Sequence, residues 1–238
     1  MLRTQNSKGR NGDSSLTEIC VSAILKLIRT GQISIGSRVG EVALAQRLQL
    51  GRAPVRAALD RLANLGVVER IARSGTFVRE VNIIDYCEVI DVRAGLEGMA
   101  GFLAASRITD EQLSEFEAIA KELDELDFAG VSERMSREAQ LKYFDKLFAL
   151  DFKFHMGIAQ ICGNRRIIAI LEQQHLLERS FIIGIGLPPR HGKVPSDAPS
   201  HLDIVRALRK ADPKEVRDTI QAGLNGTKEG VIRRFSGL

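Results

Sequence analysis

Hydrophobic positions in the first third of the chain change period several times, and each change predicts an element. Leu16, Ile19, Ala23, Ile24 and Leu27 recur at helical spacing and predict a first helix over 15–30, behind a polar, disordered tail over 1–14. A second helix is predicted from Glu41 to Leu48, with Val42, Leu44, Ala45 and Leu48 available for packing. Gly51 supplies a turn. A third helix then opens near Arg52, with Pro54 in its first turn, where a missing N–H costs nothing. At about 100° per residue, Val55, Ala58, Leu59 and Leu62 form one apolar stripe of that helix. Arg52, Ala53, Arg56, Ala57 and Asp60 fall on another face. Two strand-like runs follow over 67–72 and 76–78, joined by Arg73, Ser74 and Gly75 into a hairpin with a basic tip. Helix, turn, helix and hairpin in this order predict a winged helix-turn-helix over 15–80.

Beyond a short linker at 79–82 the pattern becomes helical almost throughout. Six helices are predicted near 84–106, 110–127, 136–161, 164–183, 199–210 and 213–234, with Thr109 and Pro213 marking two starts. The Pro- and Gly-rich stretch 184–195 reads as a long surface loop. The expected fold is therefore mainly α, an amino-terminal winged helix-turn-helix followed by an all-helical bundle over 83–238.

The outward face of the third helix suits a DNA major groove. Guanidinium forks at Arg52 and Arg56 reach guanine edges or phosphates, and small neighbours such as Ala53 let the backbone come close. Charge divides the chain in the same place: residues 1–80 hold 13 Lys and Arg against 6 Asp and Glu, whereas 81–238 hold 21 against 24. A polyanion partner belongs to the first third alone.

Residues 36–78 resemble the DNA-binding domain of the GntR family of bacterial regulators. The match runs through Glu41, Leu44, Ala45, Leu48, Arg52, Pro54, Val55, Arg56, Ala58, Leu59, Leu62, Gly66, Val68, Gly75, Phe77 and Val78. It departs where the family often has Arg, Ser and Thr and this chain has Val42, Gly51 and Ala53. The resemblance implies operator contacts from Arg52 and Arg56, with Gly75 at the wing tip beside Arg73.

In the second half Asp151 and His155 stand four apart, hence on one helix face, and interrupt a stripe of Phe144, Leu147, Phe148, Ile158 and Cys162. A carboxylate on an apolar stripe is costly unless it is paired or metal-bound. His201 shares a face with Ile204, Val205 and Leu208. Such nitrogen and oxygen ligands suit a divalent zinc, nickel or manganese ion. The alternatives are a His155–Asp151 hydrogen bond and a satisfied core His201. Arg93 and Glu97 either line the same cavity or pair with each other. His175 and Arg179, one turn apart, are further candidates for an anionic effector.

This half resembles the FCD domain of the FadR branch, and its six helices point to the VanR-like subgroup. The marks are the run 89–97, the run 151–164 and His201 with its following residues. The resemblance implies a divalent metal held by an Asp and three histidines, of which Asp151, His155 and His201 match. Gly223 stands where the third histidine would be. The site is then incomplete, completed by water or effector, or replaced by a direct ligand pocket.

Cys20, Cys87 and Cys162 are too widely separated for a disulfide framework or zinc knuckle, and no apolar run reaches the length of a membrane span. The expected protein is a cytoplasmic homodimer, or dimer of dimers, that binds operator DNA and an organic or aromatic acid. Its expected role is repression of catabolic genes. Two rivals are a metal-dependent hydrolase with an accessory DNA-binding domain and an architectural DNA binder without effector; no His-Glu-x-x-His motif supports the first.

Overall fold

The computed structural model describes residues 8–80, 82–126, 135–184 and 198–236. Residues 1–7 of the expected tail and most of the expected loop, 185–195, lie outside the described residues. The chain divides into two compact units, Met1–Val81 with Ser180–Ile185, and Asn82–Arg179 with Gly186–Leu238.

The first unit contains α1 (Lys8–Arg29), β1 (Arg38–Val39), α2 (Glu41–Leu48), α3 (Arg52–Asn64), β2 (Val68–Ile71) and β3 (Gly75–Val78). Its core joins Cys20, Val21, Ile24 and Ile28 of α1 to Leu44 and Ala45 of α2, the α3 stripe, and Val39, Val68 and Val78 of the sheet. Burying such a stripe is what holds short helices that would be marginal alone. The α3 stripe of Val55, Ala58, Leu59 and Leu62 is buried as its periodicity predicts.

Three expectations need correction here. Helix α1 starts at Lys8, so the polar residues 8–14 continue the helix; extending a docked helix costs far less than nucleating one. Its buried stripe is turned relative to the expected one: Leu16 and Ile19 are exposed, and Cys20 and Val21 take the inward positions. Val42 also faces solvent, leaving Leu44 and Ala45 to anchor α2. The structure adds a third strand, β1, too short to leave a periodic trace. The sheet order is β1-β3-β2, both pairs antiparallel, with Val39 opposite Thr76 and Val68 opposite Val78.

The second unit is built on six helices among the described residues: α4 (Ile83–Ala104), α5 (Asp110–Glu125), α6 (Arg137–Cys162), α7 (Arg165–Gly184, of which the second unit holds the part up to Arg179), α8 (His201–Arg209) and α9 (Pro213–Ser236). Capping boxes start three of them: Asn82 with Asp85, Thr109 with Gln112, and Ser200 with Asp203. The last places His201 in the first turn of α8. Helix α4 packs on α9 and α6, and α5 packs on α8 and α6. Gly98 and Gly101 allow the first contact, because a Cβ at Gly101 would meet Ile220 Cδ1 at 2.5 Å and Val216 Cγ1 at 2.8 Å. Among the described residues no helix is long and apolar enough to cross a membrane.

Candidate ligand site and DNA-reading face

Arg52, Ala53, Arg56 and Ala57 are all exposed on α3, which is what the stripe opposite them dictates. Arg52 makes no ion pair with a described residue. Arg56 instead meets the Glu41 carboxylate at the start of α2, with Nε 3.0 Å from Oε2 and Nη2 3.0 Å from the same oxygen. Asp60, expected on the outward face, is half-buried and pairs with Arg70 of β2. At the wing, Arg73 has φ of +65° and Gly75 has φ of +122°. The Arg38 side chain lies across Gly75, where a Cβ would approach its Nε to 2.7 Å.

In the second unit, four helices bring ionisable groups together around α6. Arg93 and Glu97 lie one turn apart on the buried face of α4, joined by Nε to Oε1 at 2.7 Å. The guanidinium is also paired with Glu178 of α7, and its Nη2 lies 3.9 Å from Asp151 Oδ2. The second carboxylate oxygen of Glu97 lies 2.6 Å from His155 Nδ1. That contact turns His155 Nε2 toward Asp151 Oδ1, 3.5 Å away, and His201 Nε2 approaches the same oxygen at 3.4 Å. Phe154, fully buried, sets its ring edge-on to His155 and His201 with centroids 5.4 and 4.9 Å away. His175 sits 3.3 Å from Glu97 Oε1 and packs its ring against Phe152.

Of the two alternatives for Arg93 and Glu97, the pair with each other is present, within a buried cluster of charges. Burial by itself pushes the Glu97 carboxyl up, but Arg93 and His155 overcome it and hold it well below the usual range. Asp151 is likewise lowered: burial opposes the shift, and His155, His201 and Arg93 drive it. Burial pushes His155 down, whereas Glu97 and Asp151 raise it further than burial lowers it. Glu178 is raised, because burial outweighs the pull of Arg93.

Asp151, His155 and His201 offer ligand atoms within 4.8 Å of one another. Their 3.4–3.5 Å separations are long for charged hydrogen bonds and close to the edge of a tetrahedron with metal bonds of about 2.0–2.1 Å. This set fits a small divalent cation. Asp151, His175 and Glu178 form a second such set, but the Arg93 guanidinium already neutralises Glu178 there. Gly223 adds no donor, and a Cβ on it would sit 3.2 Å from the Pro199 carbonyl oxygen, so α9 runs close to the backbone leading into His201.

The structure thus gathers Arg93, Asp151, His155, His175 and His201, which the sequence singled out. The side chain of Arg179 lies outside the described residues. Glu178 was not anticipated: it stands three after His175, but its role rests on the pair with Arg93 of another helix. Arg93 Nη2 is buried without a hydrogen bond, its nearest carboxylate oxygen being Asp151 Oδ2 at 3.9 Å, whereas His175 Nε2 faces Glu97 Oε1 at 3.3 Å.

Comparison with known proteins places both units. Residues 17–78 match the family described as bacterial regulatory proteins, gntR family, and residues 88–226 match the FCD domain. The chain is 30% identical over 200 residues to a probable D-xylose utilization operon transcriptional repressor of Paenarthrobacter nicotinovorans, covering 80% of this chain and 77% of that protein. It is 31% identical over 133 residues to the Nta operon transcriptional regulator of Aminobacter aminovorans, covering 56% and 57% of the two chains. Among solved structures it is similar in fold to E. coli McbR/YncC, with a TM-score of 0.69, 19% identity and coverage of 92% and 98%.

Proposed function

The chain belongs to the GntR family of bacterial regulatory proteins and carries an FCD domain, and from that premise we propose that it is a ligand-responsive repressor of catabolic genes. In this reading α3 and the β2–β3 wing bind operator DNA through Arg52, Ala53, Arg56, Arg73 and Gly75, and a small carboxylate-type effector enters the cluster on α4, α6, α7 and α8. The single observation that carries it is the convergence of Asp151, His155 and His201 within 4.8 Å beside a fully buried Arg93. A divalent zinc, nickel or manganese ion would be held by Asp151, His155 and His201, and when bound it supplies a Lewis-acidic centre for a carboxylate oxygen. Glu97 orients His155, and Arg93 holds Glu97, so the ring is fixed before any ligand arrives. Because Gly223 offers no side chain, effector or water completes the set.

A direct pocket without metal is the second reading, favoured by Arg93 Nη2, which is buried without a hydrogen bond and 3.9 Å from Asp151 Oδ2, so that a ligand carboxylate would satisfy it. The protein acts in the cytoplasm as a homodimer, because two copies of one short reading helix on a two-fold symmetric site multiply affinity and specificity. The exposed Val92, Met99 and Phe102 on one side of α4 suit a second copy of the chain.

The test is thermal unfolding of chelator-treated protein with zinc, nickel or manganese chloride, repeated for His155→Ala. The expected result is a rise in the midpoint for the wild type that His155→Ala abolishes, with DNA binding retained by both. An equal rise in the variant would remove the metal seat. No rise with any ion, but a rise with small carboxylic acids that His155→Ala removes, would select the direct pocket.

A further inference from the structure

The pair between Glu41 and Arg56 has no evident structural reason. The Arg56 side chain is 64% exposed, and exposed ion pairs contribute little to stability. Its geometry is nevertheless specific. Glu41 accepts from Nε, 3.2 Å from Oε1 and 3.0 Å from Oε2, and Oε2 also lies 3.0 Å from Nη2, so the carboxylate faces the side edge of the guanidinium. That leaves Nη1 and the outer hydrogen of Nη2 as a free fork, the edge that pairs with N7 and O6 of guanine. Glu41 stands in the first turn of α2, and a Cβ on Gly40 before it would meet nothing within 4 Å. The other exposed arginine of this face, Arg52, has no such partner among the described residues.

We propose that Glu41 is a positioning residue that presents Arg56 to a guanine in the major groove, making Arg56 a base reader. This rests on the reading that α3 enters DNA. Two physical consequences follow from the pairing. The guanidinium loses its rotamer freedom before DNA arrives, so less entropy is lost on contact. The pair also carries no net charge, so it displaces no counterion and is not drawn to phosphates at random.

The experiment uses full-length protein and a pool of duplexes with a randomised core, sequencing the bound fraction for the wild type, Glu41→Gln, Arg56→Ala and Arg56→Lys. The wild type should select a guanine in each half-site that Arg56→Ala and Arg56→Lys lose. Glu41→Gln should weaken the preference for that same guanine about tenfold. On mixed-sequence duplex, Glu41→Gln should bind more tightly, with a salt dependence steeper by about one charge. A purely structural pair would shift the unfolding midpoint and leave the base preference alone, and that outcome overturns the proposal. So does a Glu41→Gln profile equal to the wild type while Arg56→Ala loses the guanine, a result that keeps the groove reading intact. If the wild type selects no sequence, or Arg56→Ala selects as the wild type does, the groove reading itself falls and this proposal with it.

Discussion

His155 is tied to two carboxylates, and its protonation therefore carries stability. Burial works against the charged ring, yet Glu97 and Asp151 raise its pKa above the ordinary 6.5. A raised folded value means that the stabilisation is fully present below 6.5 and is lost as pH rises through the folded value. Metal-free protein should accordingly lose thermal stability between neutral and alkaline pH, and His155→Gln should remove that part of the slope. Parallel midpoint-against-pH curves for the two proteins would contradict the assignment. Arg93 illustrates the same economy: it is among the largest fully buried side chains, and it stays charged because Glu97 and Glu178 both face it.

Helix α4 marks the limit of what periodicity reveals. Val89, Leu96, Met99 and Leu103 suggest a stripe beside Arg93 and Glu97, but the buried face is Tyr86, Ile90, Arg93, Ala94, Glu97, Gly98 and Gly101, with Met99 exposed. Apolar residues occur on every side of α4, so the sequence gives no contrast from which to choose, and the small residues facing α9 carry little hydrophobic weight. Gly101→Leu should lower stability by about 1–3 kcal/mol through overpacking against Val216 and Ile220, read as a shift of the denaturant midpoint at unchanged slope. A neutral result would mean that α9 moves aside at no cost. By contrast, α3 is legible because four buried residues and six exposed ones divide cleanly around it. Asp151, His155 and His201 were legible because polar groups stood out on apolar faces. Glu178 was not, since only the fold shows that Arg93 faces it from α4.

Charge separates the two units as cleanly as packing does. Residues 1–80 carry 13 Lys and Arg against 6 Asp and Glu, and the remainder has a net negative balance. A fragment of residues 1–80 should bind DNA weakly, losing affinity steeply as salt rises, while residues 83–238 should bind none and sediment as a dimer. DNA binding by the second fragment, or a monomer in sedimentation, would break the division of labour.

The outward side of α3 also bears on how such a protein changes its target. Arg52, Ala53 and Ala57 are exposed, and α3 is held in place by its opposite stripe. New residues at these three positions alter what the helix contacts without disturbing what secures it, so descendants can drift toward new operators at little cost to folding. Position 56 is different. Its side chain pairs with Glu41, fifteen residues earlier on another helix, so in the proposed reading a change there also alters what Glu41 positions. A lineage acquiring a new binding sequence should substitute 52, 53 and 57 independently, and 41 and 56 as a pair.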